Sequence, residues 1–171
     1  MTPTLKGCHR ITTSLTLEQT VMPQSLSSIL VHLVFSTKHR EPLIALDVEA
    51  ALYAYLSGIL KAKCCPALTI GGMPDHVHVL FQLARTAAIS DVVEDLKKDS
   101  SRWIKTRGAA FGGFYWQAGF GAFSVGQSNV ETTRKYIDNQ KTHHTTRTFQ
   151  EEYRILLRKY AVEFDERYVW D

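Results

Sequence analysis

The segment Gly71-Gly72-Met73-Pro74-Asp75 constrains this chain more than any other. Glycine, proline and aspartate favour tight turns, and these residues separate a short strand candidate at Pro66–Gly71 from a longer apolar run at His76–Leu83. Two strands joined so closely pair as an antiparallel, hairpin-like unit. Side chains alternate faces along a strand, so His76 and His78 project to the same side. That spacing makes them a candidate metal clasp. The plainer alternative is two unrelated polar residues on a solvent face.

The remaining elements follow from periodicity. Ser28–Ser36 is β-branched and apolar and reads as a buried strand. Val48, Leu52, Tyr55, Leu56, Ile59 and Leu60 recur at helical spacing after Pro42, with Asp47 as N-cap, giving a core-facing helix of about four turns. A second helix is predicted from a Ser90 cap to about Arg107, with Ile89, Val92, Val93, Leu96, Trp103 and Ile104 as its apolar stripe. Lys97, Lys98, Arg102 and Lys105 occupy its other face. A fourth strand falls near Ala122–Val125. Ser128 with Glu131, and Thr148 with Glu151, have capping-box spacing and predict two further helices. The last of these aligns Phe149, Tyr153, Leu156, Leu157 and Tyr160.

This order, strand, helix, strand, strand, helix, strand, predicts an α+β, ferredoxin-like split βαβ fold with helices on one face of an antiparallel sheet. The other face is then expected to be free for a ligand or a site. At 171 residues the chain suits one domain. Residues 1–21 are threonine-rich without apolar periodicity and are read as an unstructured extension, leaving 22–171 as the functional domain. They lack the features of a signal peptide, and no run of eighteen apolar residues predicts a membrane span. Cys8, Cys64 and Cys65 do not form a CxxC zinc spacing. A cytoplasmic, nucleoid-associated location is expected.

Charge is distributed unevenly. Between Arg85 and Arg147 there are ten Lys/Arg against six Asp/Glu, whereas from Phe149 onward acids outnumber bases six to four. A basic middle suits a phosphate-rich partner, although a solvated helix surface explains it equally. On the Ser128 helix, Tyr136 and Gln140 are four apart and share a face, placing a phenol beside an amide oxygen. Each alone would be an ordinary amphipathic or surface side chain.

Four motifs taken together resemble a known family. His-Leu-Val-Phe-Ser-Thr-Lys-His-Arg (32–40), Met-Pro-Asp-His-Val-His-Val-Leu (73–80), Phe114-Tyr115-Trp116-Gln117, and Tyr136-Ile137-Asp138-Asn139-Gln140 with His143-His144 look like single-tyrosine HUH transposases of the insertion sequence two-hundred/six-hundred-five group (IS200-like transposase family). The likeness runs from about Met22 to the C-terminus. It implies an RRM-like catalytic core followed by a catalytic-tyrosine helix, a divalent metal ion (Mg²⁺ or Mn²⁺), and cleavage of single-stranded DNA hairpins through a 5′-phosphotyrosine. It also implies an obligate homodimer whose active sites are completed in trans. Carried over residue by residue, Tyr136 is the nucleophile and His76, His78 and Gln140 are the metal ligands.

The chemistry is coherent with that resemblance. Resealing a phosphodiester without ATP requires the bond energy to be kept, and a phosphotyrosine keeps it. A phenol with a pKa near 10 attacks an anionic phosphate slowly unless a cation neutralises charge and stabilises the leaving 3′-oxygen. Imidazole and amide-oxygen ligands suit Mg²⁺ or Mn²⁺, with Mn²⁺ favoured for binding in vitro. Lys38, Arg40, Arg102, Lys105, Arg107 and His144 are the candidate DNA contacts, and Trp103, Tyr115 and Trp116 are candidate stacking platforms or core residues. Asp75 either orients His76 or shapes the turn, with turn-shaping preferred, and His32 is read as a hydrogen-bonded core histidine. The rival readings are a domesticated repeat-associated tyrosine transposase, a replication initiator or relaxase nuclease, and a non-catalytic RRM-like nucleic-acid-binding module.

Overall fold

The computed structural model describes residues 25–143 and 148–170; the expected extension at 1–21 and the candidate His144 lie outside the described residues. Strands β1 (Ile29–Ser36), β2 (Ala67–Met73), β3 (His76–Leu83) and β4 (Gly121–Val125) form one antiparallel sheet in the order β2-β3-β1-β4. The turn between β2 and β3 contracts to Pro74-Asp75, because Gly71 and Gly72 continue the ladder opposite His78 and Val77. β1 and β3 pair with Ser36 opposite His76 and Val34 opposite His78.

Alternation along these strands makes two faces. Val31, Leu33, Phe35, Val77, Val79 and Phe81 point to one side, where helices α1 (Leu46–Ala62) and α2 (Ile89–Lys105) cover them with Val48, Leu52, Leu56, Leu60, Val92, Val93, Leu96 and Ile104. His32, Val34, His76, His78, Leu80, Phe123 and Val125 point to the other. That second face is not free as expected. Helices α3 (Val130–Asp138), α4 (Gln140–His143) and α5 (Phe149–Lys159) follow β4, and the apolar stripes of α3 and α5 close over it through Val130, Ile137, Phe149, Tyr153, Leu156 and Leu157. An amphipathic helix must bury its stripe, and this face is the apolar surface available to it.

Helix starts separate a good spacing from a realised cap. Thr148 forms the expected capping box: its Oγ1 accepts from the Glu151 backbone at 3.3 Å, and Glu151 Oε2 accepts from the Thr148 backbone at 2.9 Å. Three other caps were not realised. Helix α1 starts one residue before Asp47, which falls in its first turn and faces the helix dipole there instead. Ser90 lies inside the first turn of α2, where its hydroxyl donates to Asp91 at 3.1 Å. Ser128 sits in a 3-10 turn, Gln127–Asn129; the chain enters α3 through Asn129 at φ −101°, ψ 0°, not through the extended residue that a side-chain cap requires.

Candidate active site

The sheet register brings His76 and His78 together at the centre of the second face, with ring centroids 5.2 Å apart and both side chains fully buried. Each ring is fixed through Nδ1. Asp75 Oδ1 lies 2.7 Å from Nδ1 of His76, so Asp75 orients this imidazole in addition to shaping the turn, and fills both of the roles weighed for it. Nδ1 of His78 meets Nε2 of His32 at 2.9 Å across the β1–β3 pair. His32 is the hydrogen-bonded core histidine expected. Burial, followed by the neighbouring His78, pushes its pKa down to about 3, so it stays neutral. With Nδ1 of each ring engaged, His76 and His78 turn their Nε2 atoms to the same space beside Glu152.

Helix α3 carries Tyr136 over this pair. Its ring centroid lies 5.9 Å from that of His78 and 6.2 Å from that of His32, both edge-on. Packing against β2 sets this position: Ile137 is buried among Leu30, Leu80, Val125 and Val130, and a carbonyl of α3 sits directly over Gly71. Gln140 does not extend the same helix as expected. Helix α3 ends at Asp138, Asn139 turns the chain, and Gln140 opens α4. Its side chain is nevertheless brought to the site and is buried there.

The sequence reading missed Glu152. This carboxylate comes from the first turns of α5, where it accepts hydrogen bonds from the Tyr136 hydroxyl and, at 2.8 Å, from Gln140 Nε2. Its Oε2 lies 3.7 Å from His76 Nε2 and 3.5 Å from His78 Nε2. Burial alone would raise this carboxyl; contact with His78 and hydrogen bonds from Tyr136 and Gln140 outweigh it and hold the group well below the usual carboxylate range. A signal was present, because position 152 is three after Phe149 and four before Leu156 and therefore lies within an apolar stripe.

His76, His78 and Glu152 form a cluster able to hold a metal ion, their ligating atoms all within 4.8 Å of one another. Gln140 Oε1 is buried and has no hydrogen-bond partner among the described residues. A buried amide oxygen without a partner is costly, and ligation of a divalent cation would satisfy it. Within the one chain described, Tyr136 already lies beside His78 and His32. A cavity of about 180 Å³ opens beside it, lined by His32, Tyr136, Glu152, Leu156 and Lys159 among others.

The candidate DNA contacts divide between two places. Lys38 and Arg40 occupy a 3-10 turn that leaves β1 at the His76 end of the sheet, where the Thr37 carbonyl accepts from the Arg40 amide at 3.0 Å and the Thr37 amide donates to the Asp75 carbonyl at 2.8 Å. Arg40 donates to the Trp170 carbonyl at 3.4 Å and stacks on its ring. Arg102, Lys105 and Arg107 lie at the end of α2, behind the sheet from the histidines. Lys105 sits 3.5 Å from the Tyr115 ring centroid, and Lys38 donates its amide to the Tyr115 carbonyl, so Tyr115 joins the two groups. Arg107 covers Trp103, and Arg102 reaches Asp99 at 3.9 Å. Tyr115 is 53% exposed, beside an open groove of about 330 Å³ lined by Lys38, His39, Tyr115, Trp116, Gln117 and Ala118. Trp103 stacks on Tyr55, and Trp116 packs on Phe35 while donating Nε1 to Ser100 at 2.9 Å; both serve the core.

Comparison with known proteins bears on the family and the fold. The family model described as "Transposase IS200 like" matches residues 25–140. The ISDra2 transposase TnpA of Deinococcus radiodurans is 28% identical over 114 residues, covering 64% of this chain and 81% of that protein. Two solved structures share the fold. One, from Deinococcus radiodurans and assigned as a transposase, has a TM-score of 0.55 at 24% identity, covering 70% of this chain and 98% of its own. The other is a REP-associated tyrosine transposase bound to a REP hairpin, with a TM-score of 0.54 at 12% identity and 74% of each chain covered. No helix among the described residues is long and apolar enough to cross a membrane.

Proposed function

Because the chain belongs to the IS200-like transposase family, whose model spans residues 25–140, we propose that it cuts and rejoins single-stranded, hairpin-bearing DNA ends through Tyr136. The phenolic oxygen attacks the scissile phosphorus, a tyrosine–phosphate bond forms, and the bond to the 3′-oxygen breaks. In the reverse sense a 3′-hydroxyl attacks the 5′-phosphotyrosine and releases Tyr136. The observation that carries this reading is the convergence of Tyr136, His76, His78 and Gln140 on one buried face.

His76, His78 and Gln140 would hold a divalent ion, Mg²⁺ or Mn²⁺, which when bound supplies charge neutralisation at the phosphate and at the leaving oxygen. Asp75 and His32 fix the two imidazoles so that their Nε2 atoms face that position. The Glu152 carboxylate receives the Tyr136 hydroxyl and orients the phenol beside the histidines. Lys38, Lys105 and Tyr115 form the entry for the DNA strand, with phosphates on the lysines and an unpaired base on the exposed ring. Arg40, Arg102 and Arg107 add positive charge along the same path.

Labelled single-stranded hairpin DNA from the gene's own flanks, incubated with the protein and Mn²⁺, should give a protein-linked DNA band that disappears in Tyr136→Phe. No adduct on any flanking sequence would make the chain a nucleic-acid-binding module instead. Two ends require two tyrosines, so the working unit is a homodimer in which the tyrosine helix of one protomer serves the histidines of the other; docking in cis is then the state before exchange. Mixed Tyr136→Phe and His76→Ala subunits should regain part of the cleavage. A completely inactive mixture would leave the cis site as the working one.

A further inference from the structure

We propose that the cavity between α3 and α5 is a nucleotide subsite: it holds the nucleotide on the 3′ side of the cleaved bond, the one that becomes joined to Tyr136 through its 5′-phosphate, with Lys159 on the next phosphate along. The inference rests on the tyrosine-transfer reading above and names the part of the DNA that this side of the site takes.

Two helix faces build the space, of about 180 Å³. Thr132 and Thr133 precede Tyr136 by four and three residues, so they share its side of α3. Ile155, Leu156 and Lys159 follow Glu152 by three, four and seven residues and share its side of α5. A single water needs roughly 10–15 Å³ of such space, so the cavity takes a ring-sized group. Its lining suits a base. Ile155, 44% exposed, and the half-buried Tyr160 offer apolar and aromatic surface, while the Thr132 and Thr133 hydroxyls offer donors and acceptors to a base edge. Lys159 makes no ion pair among the described residues, and its Nζ lies 5.7 Å from the Tyr160 ring centroid, so cation and stacking surface are neighbours. Its charge is felt within the cavity, where it adds to burial and His78 in keeping the His32 ring neutral.

The direction of the strand follows from the two sides of Tyr136. An ion at the histidines stabilises the leaving 3′-oxygen, so the 5′ part of the DNA departs on the side of His76 and His78, and neither of them lines the cavity. The part that stays bonded to Tyr136 needs room beside the phenol. The cavity, lined by Tyr136 itself, supplies that room, and a base filling it would keep water from the phosphotyrosine. Threonine hydroxyls pair with any base edge, so the subsite selects for the presence of a base more than for its identity.

The test changes the substrate at that nucleotide alone. The full chain with Mn²⁺ is given labelled hairpin DNA from the gene's flanks in three forms: ordinary, with an abasic residue 3′ of the cleaved bond, and with an uncharged methylphosphonate as the next phosphate. Initial rates of adduct formation by wild type should fall about tenfold on each modified strand. Lys159→Ala should be about tenfold slow on ordinary DNA and no slower on the methylphosphonate, whereas Lys159→Arg keeps the wild-type pattern. Ile155→Trp, which fills the cavity, should be slow on ordinary DNA but match wild type on the abasic strand. Wild-type rates within about twofold on all three strands, or a methylphosphonate penalty as large in Lys159→Ala as in wild type, overturn the subsite while leaving transfer through Tyr136 intact. Absence of any adduct on ordinary DNA overturns both.

Discussion

Gly71→Ala isolates the contact that places the nucleophile. A Cβ at Gly71 would lie 2.6 Å from the Ile137 carbonyl oxygen and 3.0 Å from its Cγ2. Ordinary contact begins near 3.4 Å, so the helix must retreat by about 0.8 Å, and the obstacle is backbone that cannot rotate away. Overpacking of this kind costs roughly 1–3 kcal/mol, of which about 0.5–1 kcal/mol is returned by replacing glycine within a strand. For a chain of this length the melting temperature should fall by roughly 2–7 °C. Tyr136 is the residue before Ile137, so the same retreat moves the phenol, and a misplacement near 1 Å can cost about 100-fold in rate. Phosphotyrosine formation should therefore drop far more than stability. Gly58→Ala, on an exposed position of α1 with nothing within 4 Å, is the matched control and should stabilise by about 0.5–1 kcal/mol with adduct yield unchanged. Adduct formation within twofold of wild type in Gly71→Ala would refute the claim that β2 sets the tyrosine.

The other predictions concern the supports of the site. His32 is neutral in the fold, its pKa pushed down to about 3, whereas the unfolded chain takes a proton near 6.5. Its contribution is thus present above pH 6.5 and is lost as pH falls; at pH 4.5 the loss should be about 2–3 kcal/mol. Urea midpoints at pH 7 and 4.5 should show this extra acid sensitivity in wild type and not in His32→Gln; equal sensitivity would contradict it. Tyr115→Ala should weaken single-stranded DNA binding by about 1–3 kcal/mol in an anisotropy titration, while Tyr115→Phe binds normally. An equal loss in both variants would mean the hydroxyl, not the ring, matters. Ser100→Ala strands the buried Trp116 Nε1 and should cost about 1–3 kcal/mol in denaturant unfolding; a loss below about 0.5 kcal/mol would deny that bond its weight.

Much of this architecture is legible without coordinates, and particular residues show where legibility stops. The period of two in His76-Val77-His78 suffices to place both imidazoles on one face, and periodic apolar residues suffice for α1 and α2. The sequence does not reveal which partner a polar side chain finds across the fold. His32 reaches His78 only through the β1–β3 register, and Glu152 reaches both histidines only once α5 folds back across the sheet. Both depend on contacts distant in sequence, whereas caps fail for a local reason: Ser128 and Glu131 have suitable spacing, but the 3-10 turn before α3 denies Ser128 the extended backbone it needs. Basic residues show the same dependence on distant partners. Lys97 shares a helix face with Lys105, yet its Nζ donates to the carbonyls of Gln117, Ala118 and Gly119 at 2.7–3.0 Å and braces a loop.

The placement of the histidines in the middle of the sheet has a consequence for how the molecule comes apart. β3 is flanked by β2 and β1, and β1 by β3 and β4, so His32, His76 and His78 all sit on strands hydrogen-bonded along both edges. Tyr136, Gln140 and Glu152 sit on helices held by side-chain packing against one face. Backbone amides of β1 and β3 should therefore exchange with solvent only on global opening, while those of α3 and α5 exchange through smaller excursions. The cation-holding half of the site would then be the last part of the chain to unfold and the first to re-form, and it would persist through any excursion that takes the nucleophile elsewhere.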